Sequence, residues 1–273
     1  MDTSAIGVQA IESICADQGV GQAVVFIHGW GGWHRYWRHL WPRFVPRFRA
    51  LAPDLPGFGW SGKLDDAPYT MEWFADWIAA LLDAKGIGQA VLVGHSMGGG
   101  IAMMAAAHHP SRVSRLVLVN PMVQGATALD RRTRFISSPL MRPLMYGLTR
   151  FDGGLAVVGE GFMNTRPMEM EDLGSIRMAS FRSLSASLVS LRTFDALATA
   201  GQITAPTLVV RCALDRVVDP EQAARAARAI AGARLETLPT VGHCVQLEAP
   251  EALAGIVLDF LRDVPRPGRP RQW

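Results

Sequence analysis

Ala90-Val91-Leu92-Val93-Gly94-His95-Ser96-Met97-Gly98 is the stretch whose reading decides the fold. Its first four residues form a short apolar run, the composition of a buried strand. Residues 99–109 are helix-prone. A serine with a glycine two residues to either side, set between a strand and a helix, makes a nucleophile elbow. The turn is so sharp that the serine backbone is strained, and a Cβ at either glycine would collide. It holds the Ser96 hydroxyl above the end of a sheet, where a histidine can reach it. The pentapeptide alone arises by chance in Gly-rich chains. Its strand–turn–helix setting is what makes it informative.

Working outward, Ala23–Ile27 reads as another buried strand. It ends in His28-Gly29-Trp30-Gly31-Gly32, a loop whose backbone can approach a ligand closely. Residues 36–44 place apolar side chains at helical spacing, with Pro42 positioned to end or kink that helix. Arg49–Pro53 reads as a strand, and the turn-rich Asp54-Leu55-Pro56-Gly57-Phe58-Gly59 follows it. Residues 4–15 alternate loosely and predict an N-terminal strand or hairpin. Residues 70–85 predict an amphipathic helix with Thr70 as N-cap, stopped by Gly86 and Gly88. Val113–Val119 is the next strand. The rhythm then breaks at Asn120-Pro121, and up to about residue 200 there are only helical patches. It resumes with a strand at 206–211, a helix at 220–231, a strand at 234–238 and a helix at 250–262. Strands alternating with helices predict a largely parallel α/β sheet covered on both faces.

The 273 residues suit one large α/β domain with an insertion. The net charge of +3 is small and scattered, and the only lysines are Lys63 and Lys85. No basic stripe or nucleic-acid motif is present, which argues against a nucleic-acid partner. Cys15, Cys212 and Cys244 are odd in number and widely spaced, so neither a disulfide framework nor a zinc site is expected. Free thiols suit a reducing cytosol. The first residues lack the pattern of a signal peptide, and no apolar run reaches membrane-spanning length. The expected location is cytoplasmic, with no membrane partner.

Taken in order, five segments resemble the α/β-hydrolase fold family across nearly the whole chain. They are His28-Gly29-Trp30-Gly31, Asp54 through Ser61, Gly94-His95-Ser96-Met97-Gly98-Gly99, Asp215-Arg216-Val217-Val218 and Gly242-His243. The resemblance implies an eight-stranded, mostly parallel sheet with a helical cap inserted after the sixth strand. The core would then be residues 1–121 and 201–265, the cap 122–200 and the tail 266–273. It also implies a catalytic set in the chain order Ser96, Asp215, His243. Ser96 is the nucleophile, His243 the base, and Asp215 the acid that fixes the imidazole tautomer. Asp219 competes with Asp215, although Asp219-Pro220 reads as a helix N-cap. The backbone N–H groups of Trp30 and Met97 would form the oxyanion hole.

Gly29, Trp33 and His95 are candidates for substrate binding. Trp33 reads equally well as helix packing, and His95 as packing or site wall. Trp30 and Trp60 are further candidates for lining an acyl pocket. His28 is expected to brace the oxyanion loop, while His34, His39, His108 and His109 read as helix-face residues. Asp54 and Ser61 read as structural. Cys244 has no second histidine near it in sequence, which argues against a thiol mechanism.

A serine at position 96 argues against family members that need a carboxylate nucleophile, the dehalogenases and epoxide hydrolases. It favours cleavage of an ester or thioester through an acyl-enzyme, with no metal and no cofactor. The expected partner is a small-molecule acyl substrate, free or presented by a carrier protein. C–C bond hydrolases of the same fold often carry Ser-Met-Gly-Gly and are the alternative. They usually have Asn before the serine and Trp after the final histidine, where this chain has His95 and Cys244. A small-molecule receptor, or a lyase or cyclase on this scaffold, is a further reading. In the cap, Arg131, Arg132 and Arg134 suit a carboxylate or phosphate, or equally a solvated helix face. The cap methionines suit an adaptable apolar pocket or the core of a helical layer.

Overall fold

The computed structural model describes residues 15–128, 138, 140–159 and 162–263. Its strands are β1 (Cys15–Gln18), β2 (Ala23–Ile27), β3 (Arg49–Pro53), β4 (Ala90–His95), β5 (Val113–Val119), β6 (Thr207–Cys212) and β7 (Arg234–Leu238). They form one sheet in the order β1-β3-β2-β4-β5-β6-β7. β1 runs antiparallel to β3, and every other pairing is parallel. Seven strands therefore stand among the described residues where eight were expected. The strand proposed for residues 4–15 lies outside them except for Cys15, where β1 begins. The insertion accordingly follows the fifth described strand.

Parallel strands must be covered on both faces, and the alternation of side chains accomplishes this. Val24 and Phe26 of β2, Val91 and Val93 of β4, and Val117 and Val119 of β5 share one buried cluster with Trp37, Phe44, Leu253 and Val257. Val25, Ile27, Leu92, Leu116 and Leu118 share the other with Phe74, Trp77 and Ile101. These last three lie on α1 (Met71–Ala84) and α2 (Met97–His108). Each fully buried aliphatic or aromatic side chain contributes about 1.5–3 kcal/mol. α1 begins as read from the sequence, with the Thr70 side chain accepting the Trp73 N–H at 3.2 Å.

Residues 36–44 depart from the expected helix. They fold as two 3-10 turns, His34–Trp37 and Trp41–Arg43, with Pro42 in the first turn of the second. A proline in a continuous helix would clash with the preceding turn. The apolar spacing still serves burial, since Trp37, Leu40 and Phe44 are fully enclosed.

Between β5 and β6 the described residues contain helices and turns but no sheet strand. The longer helices are α3 (Arg142–Leu148), α4 (Asp152–Gly159) and α5 (Phe181–Thr193). The two ends of this insert meet at a bridge between Gln124 and Asp195. Gly125 N–H donates to Phe194 O at 2.9 Å, and Ala196 N–H to Val123 O at 2.8 Å. Buried Gln222, on α6 (Glu221–Ala229), accepts the Gln124 N–H at 2.8 Å and anchors this neck to the core. Elsewhere, Arg38 grips Asp172 of the insert through two bonds, at 2.6 and 2.9 Å. The Arg131, Arg132 and Arg134 cluster and the 266–273 tail lie outside the described residues. Among the described residues, no helix is long and apolar enough to cross a membrane.

Candidate active site

Ser96 stands between β4 and α2 with φ 55° and ψ −119°. A non-glycine residue held there is strained by roughly 1–3 kcal/mol, so its surroundings must fix it. Ser96 N–H donates to Val119 O at 3.0 Å, and Ser96 O accepts from Gly99 at 2.9 Å and from Met122 at 3.0 Å. A Cβ on Gly94 would lie 2.2 Å from Gly98 O, and one on Gly98 would lie 2.3 Å from Ile27 O. Both glycines of the motif are thus required by close backbone approach.

Asp215 and His243 leave the carboxyl ends of β6 and β7. Asp215 Oδ2 lies 2.7 Å from His243 Nδ1. A carboxylate oxygen accepts, so Nδ1 carries the proton and Nε2 is the basic nitrogen. Asp215 Oδ1 accepts from Val217 and Val218 at 2.8 and 2.9 Å, which fixes the carboxylate plane. Asp219 instead accepts the Glu221 N–H at 2.9 Å, at the start of α6. Of the two aspartates, Asp215 is the one paired with His243.

The backbone of His243 is also held. Its carbonyl accepts from His95 Nε2 and from Asn120 Nδ2, both at 2.9 Å. A carbonyl cannot donate, so His95 is protonated at Nε2. Its Nδ1 then accepts from Gln246 Nε2 at 3.3 Å. Burial, and then the neighbouring His243, hold the His95 pKa well below the ordinary imidazole value. The two imidazole rings lie 4.6 Å apart. With both ring nitrogens engaged inside the protein, His95 supports the loop that carries His243.

Asn120 joins three strand ends. It sits at φ 42°, its N–H donates to Val210 O at 2.9 Å, and its Oδ1 accepts the Cys212 N–H at 2.8 Å. The sequence marks this residue only as the point where the strand–helix rhythm breaks.

The His28–Gly32 loop lies against the elbow. A Cβ on Gly29 would come 3.1 Å from Ser96 Cβ and 3.2 Å from His95 Nδ1. The Trp30 indole N–H donates to Leu184 O of α5 at 3.1 Å, so its side chain reaches the insert. His28 Nε2 accepts the Leu55 N–H at 2.9 Å, which leaves the proton on Nδ1, beside Gly29 O at 2.8 Å. Burial, partly offset by Asp54, lowers its pKa. His28 therefore braces the loop as a neutral ring.

Trp33 is buried in a cluster with the rings of His34 and Trp60, with the Arg35 guanidinium 5.2 Å from its centroid. That is the packing role the sequence left open, and Trp60 itself is 57% exposed. His34 is not a helix-face residue. It is buried, and both its backbone N–H and its Nδ1 bond Asp54 Oδ1, at 2.6 and 2.9 Å. Helical spacing misplaced it because its partner lies twenty residues further along the chain. Burial alone would raise the Asp54 pKa, but the His34 bond, the His28 ring and the Trp60 N–H outweigh burial and lower it. His39 and His108 are exposed, while His109, past the end of α2, pairs with Asp76 at 2.8 Å. Ser61 donates to Asp54 O at 2.6 Å, a turn role as expected.

Burial drives the Cys244 thiol pKa well above its ordinary value. Without a thiolate it cannot serve as nucleophile. Among the described residues, no three His, Cys, Asp or Glu side chains group as a metal site would need.

Comparison with known proteins agrees with this geometry. Residues 22–156 match the model of the alpha/beta hydrolase fold family. The chain is 33% identical over 263 residues to 2-hydroxymuconate semialdehyde hydrolase of Pseudomonas sp. strain CF600, covering 90% of this chain and 89% of that one. It is 29% identical to 2-hydroxy-6-oxo-6-phenylhexa-2,4-dienoate hydrolase of Burkholderia cepacia, again covering 90% and 89%. Among solved structures, an esterase from Exiguobacterium antarcticum superposes with a TM-score of 0.79 at 25% identity, covering 92% of this chain and 96% of that one. With a strained serine elbow, a buried Asp–His pair and kinship along nine-tenths of its length, the chain belongs to the α/β-hydrolase fold family and is a hydrolase.

Proposed function

We propose that the protein is a serine hydrolase that cleaves the carbon–carbon bond beside the 6-oxo carbonyl of a 2-hydroxy-6-oxo-dienoate. The observation that carries this reading is the 33% identity, over nine-tenths of the chain, to an enzyme named for such a substrate. His243 Nε2 takes the Ser96 proton as the hydroxyl oxygen attacks the 6-oxo carbonyl carbon. The backbone N–H groups of Trp30 and Met97 receive the oxyanion, each contributing about 3 kcal/mol. When the tetrahedral adduct collapses, the C–C bond breaks. The substrate reacts as its keto tautomer, in which the enol proton has moved to the carbon beside the 6-oxo group, so the electron pair of the broken bond runs through the remaining double bond onto the C2 oxygen of the departing dienolate. The imidazolium of His243 returns its proton to that dienolate. Water, deprotonated by the same ring, then hydrolyses the acyl-enzyme to the carboxylic acid. Asp215 holds the tautomer and stabilises the imidazolium. Access is between the sheet edge and the inserted helices, which act as the cap.

Ester or thioester hydrolysis is the second reading. Two residues favour it. His95 and Cys244 stand where C–C hydrolases of this fold usually carry Asn and Trp, and His95 is committed to the loop of His243. Turnover of 2-hydroxymuconate semialdehyde and of p-nitrophenyl butyrate separates the readings. We expect kcat/KM for the dienoate to exceed that for the ester at least a hundredfold, and the reverse order would make the protein an esterase. Ser96→Ala should abolish both activities while the protein remains folded, and a fluorophosphonate should label Ser96 alone. Activity retained in Ser96→Ala would remove the nucleophile assignment.

A further inference from the structure

Residues 162–166 of the insert lie directly on the loop that carries His243. Cys244 N–H donates to Phe162 O at 2.8 Å, and the Phe162 ring sits 6.1 Å from the His243 ring. A Cβ on Gly242 would lie 2.9 Å from the backbone nitrogen of Asn164, so only glycine allows this approach. One carboxylate bridges the two segments. Glu248, on the short helix α7 (Val245–Glu248), accepts the Gly242 N–H through Oε2 at 2.9 Å. Its Oε1 accepts the N–H groups of Asn164 and Thr165 at 3.1 and 2.7 Å. A single carboxylate thus satisfies three backbone donors, one next to the base and two in the insert.

We propose that Glu248 is a positioning residue that couples the inserted helices to His243 through its bonds to Gly242, Asn164 and Thr165. When the insert is seated, the base loop is seated; when segment 162–165 lifts, the loop loses its bridge and the imidazole drifts from Ser96. The proposal rests on His243 as the base for Ser96. It adds that closure of the insert over the site and readiness of the base are one event. Only an acceptor-only group spanning both segments can do this. A glutamine has one oxygen, so its NH2 group must face a backbone N–H on one side or the other. An aspartate is one methylene too short to reach both.

The test uses the full chain and two readouts. The first is fluorophosphonate labelling of Ser96 across probe concentrations. The second is amide hydrogen exchange of peptides covering 162–166 and 240–245. For Glu248→Gln and Glu248→Asp we expect the maximal labelling rate to fall tenfold or more, since misplacing a reacting group by about 1 Å costs up to 10²-fold. The probe concentration giving half-maximal rate should move less than twofold, and exchange should accelerate in both segments together. Arg166→Ala removes another contact between the same segments, Arg166 to Leu247 O at 3.5 Å. It should leave labelling within twofold of the original chain. Thr165→Pro deletes one donor from the insert side and gives the same reading if neither Glu248 variant folds. Unchanged labelling in the Glu248 variants, exchange accelerating in one segment only, or equal slowing by Arg166→Ala would each overturn the coupling. Failure of the original chain to label at Ser96 would instead count against the nucleophile, because the exchange readout does not depend on the chemistry.

Discussion

At the scale of single residues, the His95 ring is a support placed one residue from the proposed nucleophile. It donates to His243 O at 2.9 Å and so supports the loop of the proposed base. His95→Ala should therefore lower kcat by about 10- to 100-fold, the cost of a base about 1 Å out of place. KM should change less than threefold, and steady-state kinetics on the preferred substrate check this. A raised KM with unchanged kcat would put the ring on the substrate instead. The residues proposed to be catalytic were legible in the sequence because each sits in a local pattern with a backbone consequence: glycines around Ser96, a glycine before His243, a cap-like Asp219-Pro220 setting Asp215 apart. Asn120, Gln246 and Glu248 were not legible. An amide or carboxyl side chain has no periodic signature, and the partners of Asn120 and Glu248 include groups 123 and 84 residues distant in the chain.

At the scale of elements, glycine divides into positions that the fold needs and positions that it merely tolerates. Gly98 belongs to the first kind, since a Cβ there meets the main-chain oxygens of Ile27 and His28 at 2.3 and 2.5 Å. Neither oxygen can retreat without breaking β2 from its place beside β4. Gly98→Ala should cost at least about 3 kcal/mol, on the order of severe overpacking in a core. Gly88, between α1 and β4, has nothing within 4 Å of a Cβ. Gly88→Ala should be neutral or stabilise by about 0.4–1 kcal/mol, through lower entropy of the unfolded chain. Urea denaturation of the two variants checks the pair, and equal effects would mean that the elbow is looser than its backbone distances imply. The same division explains which elements could be read beforehand. α1 announced its start through Thr70. The 3-10 turns of residues 34–43 did not, because a single proline overrides an apolar spacing that otherwise fits a helix.

At the scale of the whole molecule, two histidines are enclosed as neutral rings at the same edge of the sheet. Burial lowers the pKa of both His28 and His95. In the unfolded chain each titrates at about 6.5. A depressed folded value means that above pH 7 neither state binds the proton, so no penalty arises. As pH falls below about 6.5, the unfolded chain takes up protons that the folded chain refuses, and stability is lost until the folded values are reached. Asp54 acts in the same sense, but lower. Its lowered pKa supplies stability that is present above about 3.9 and is lost as pH falls further. Between pH 6 and pH 5 the histidines therefore dominate this set. Each proton that the folded chain refuses contributes at most about 1.4 kcal/mol per pH unit to that slope. The unfolding free energy from urea titrations at half-unit steps between pH 7.5 and pH 5 should trace that loss. His95→Asn removes one of the two titrating rings and should make the slope shallower, while lowering stability at pH 7.5. A flat profile in the original chain would mean that both rings take up protons in place. In that case the neutral His95, and with it the donor–acceptor order along Gln246, His95 and His243, would have to be given up.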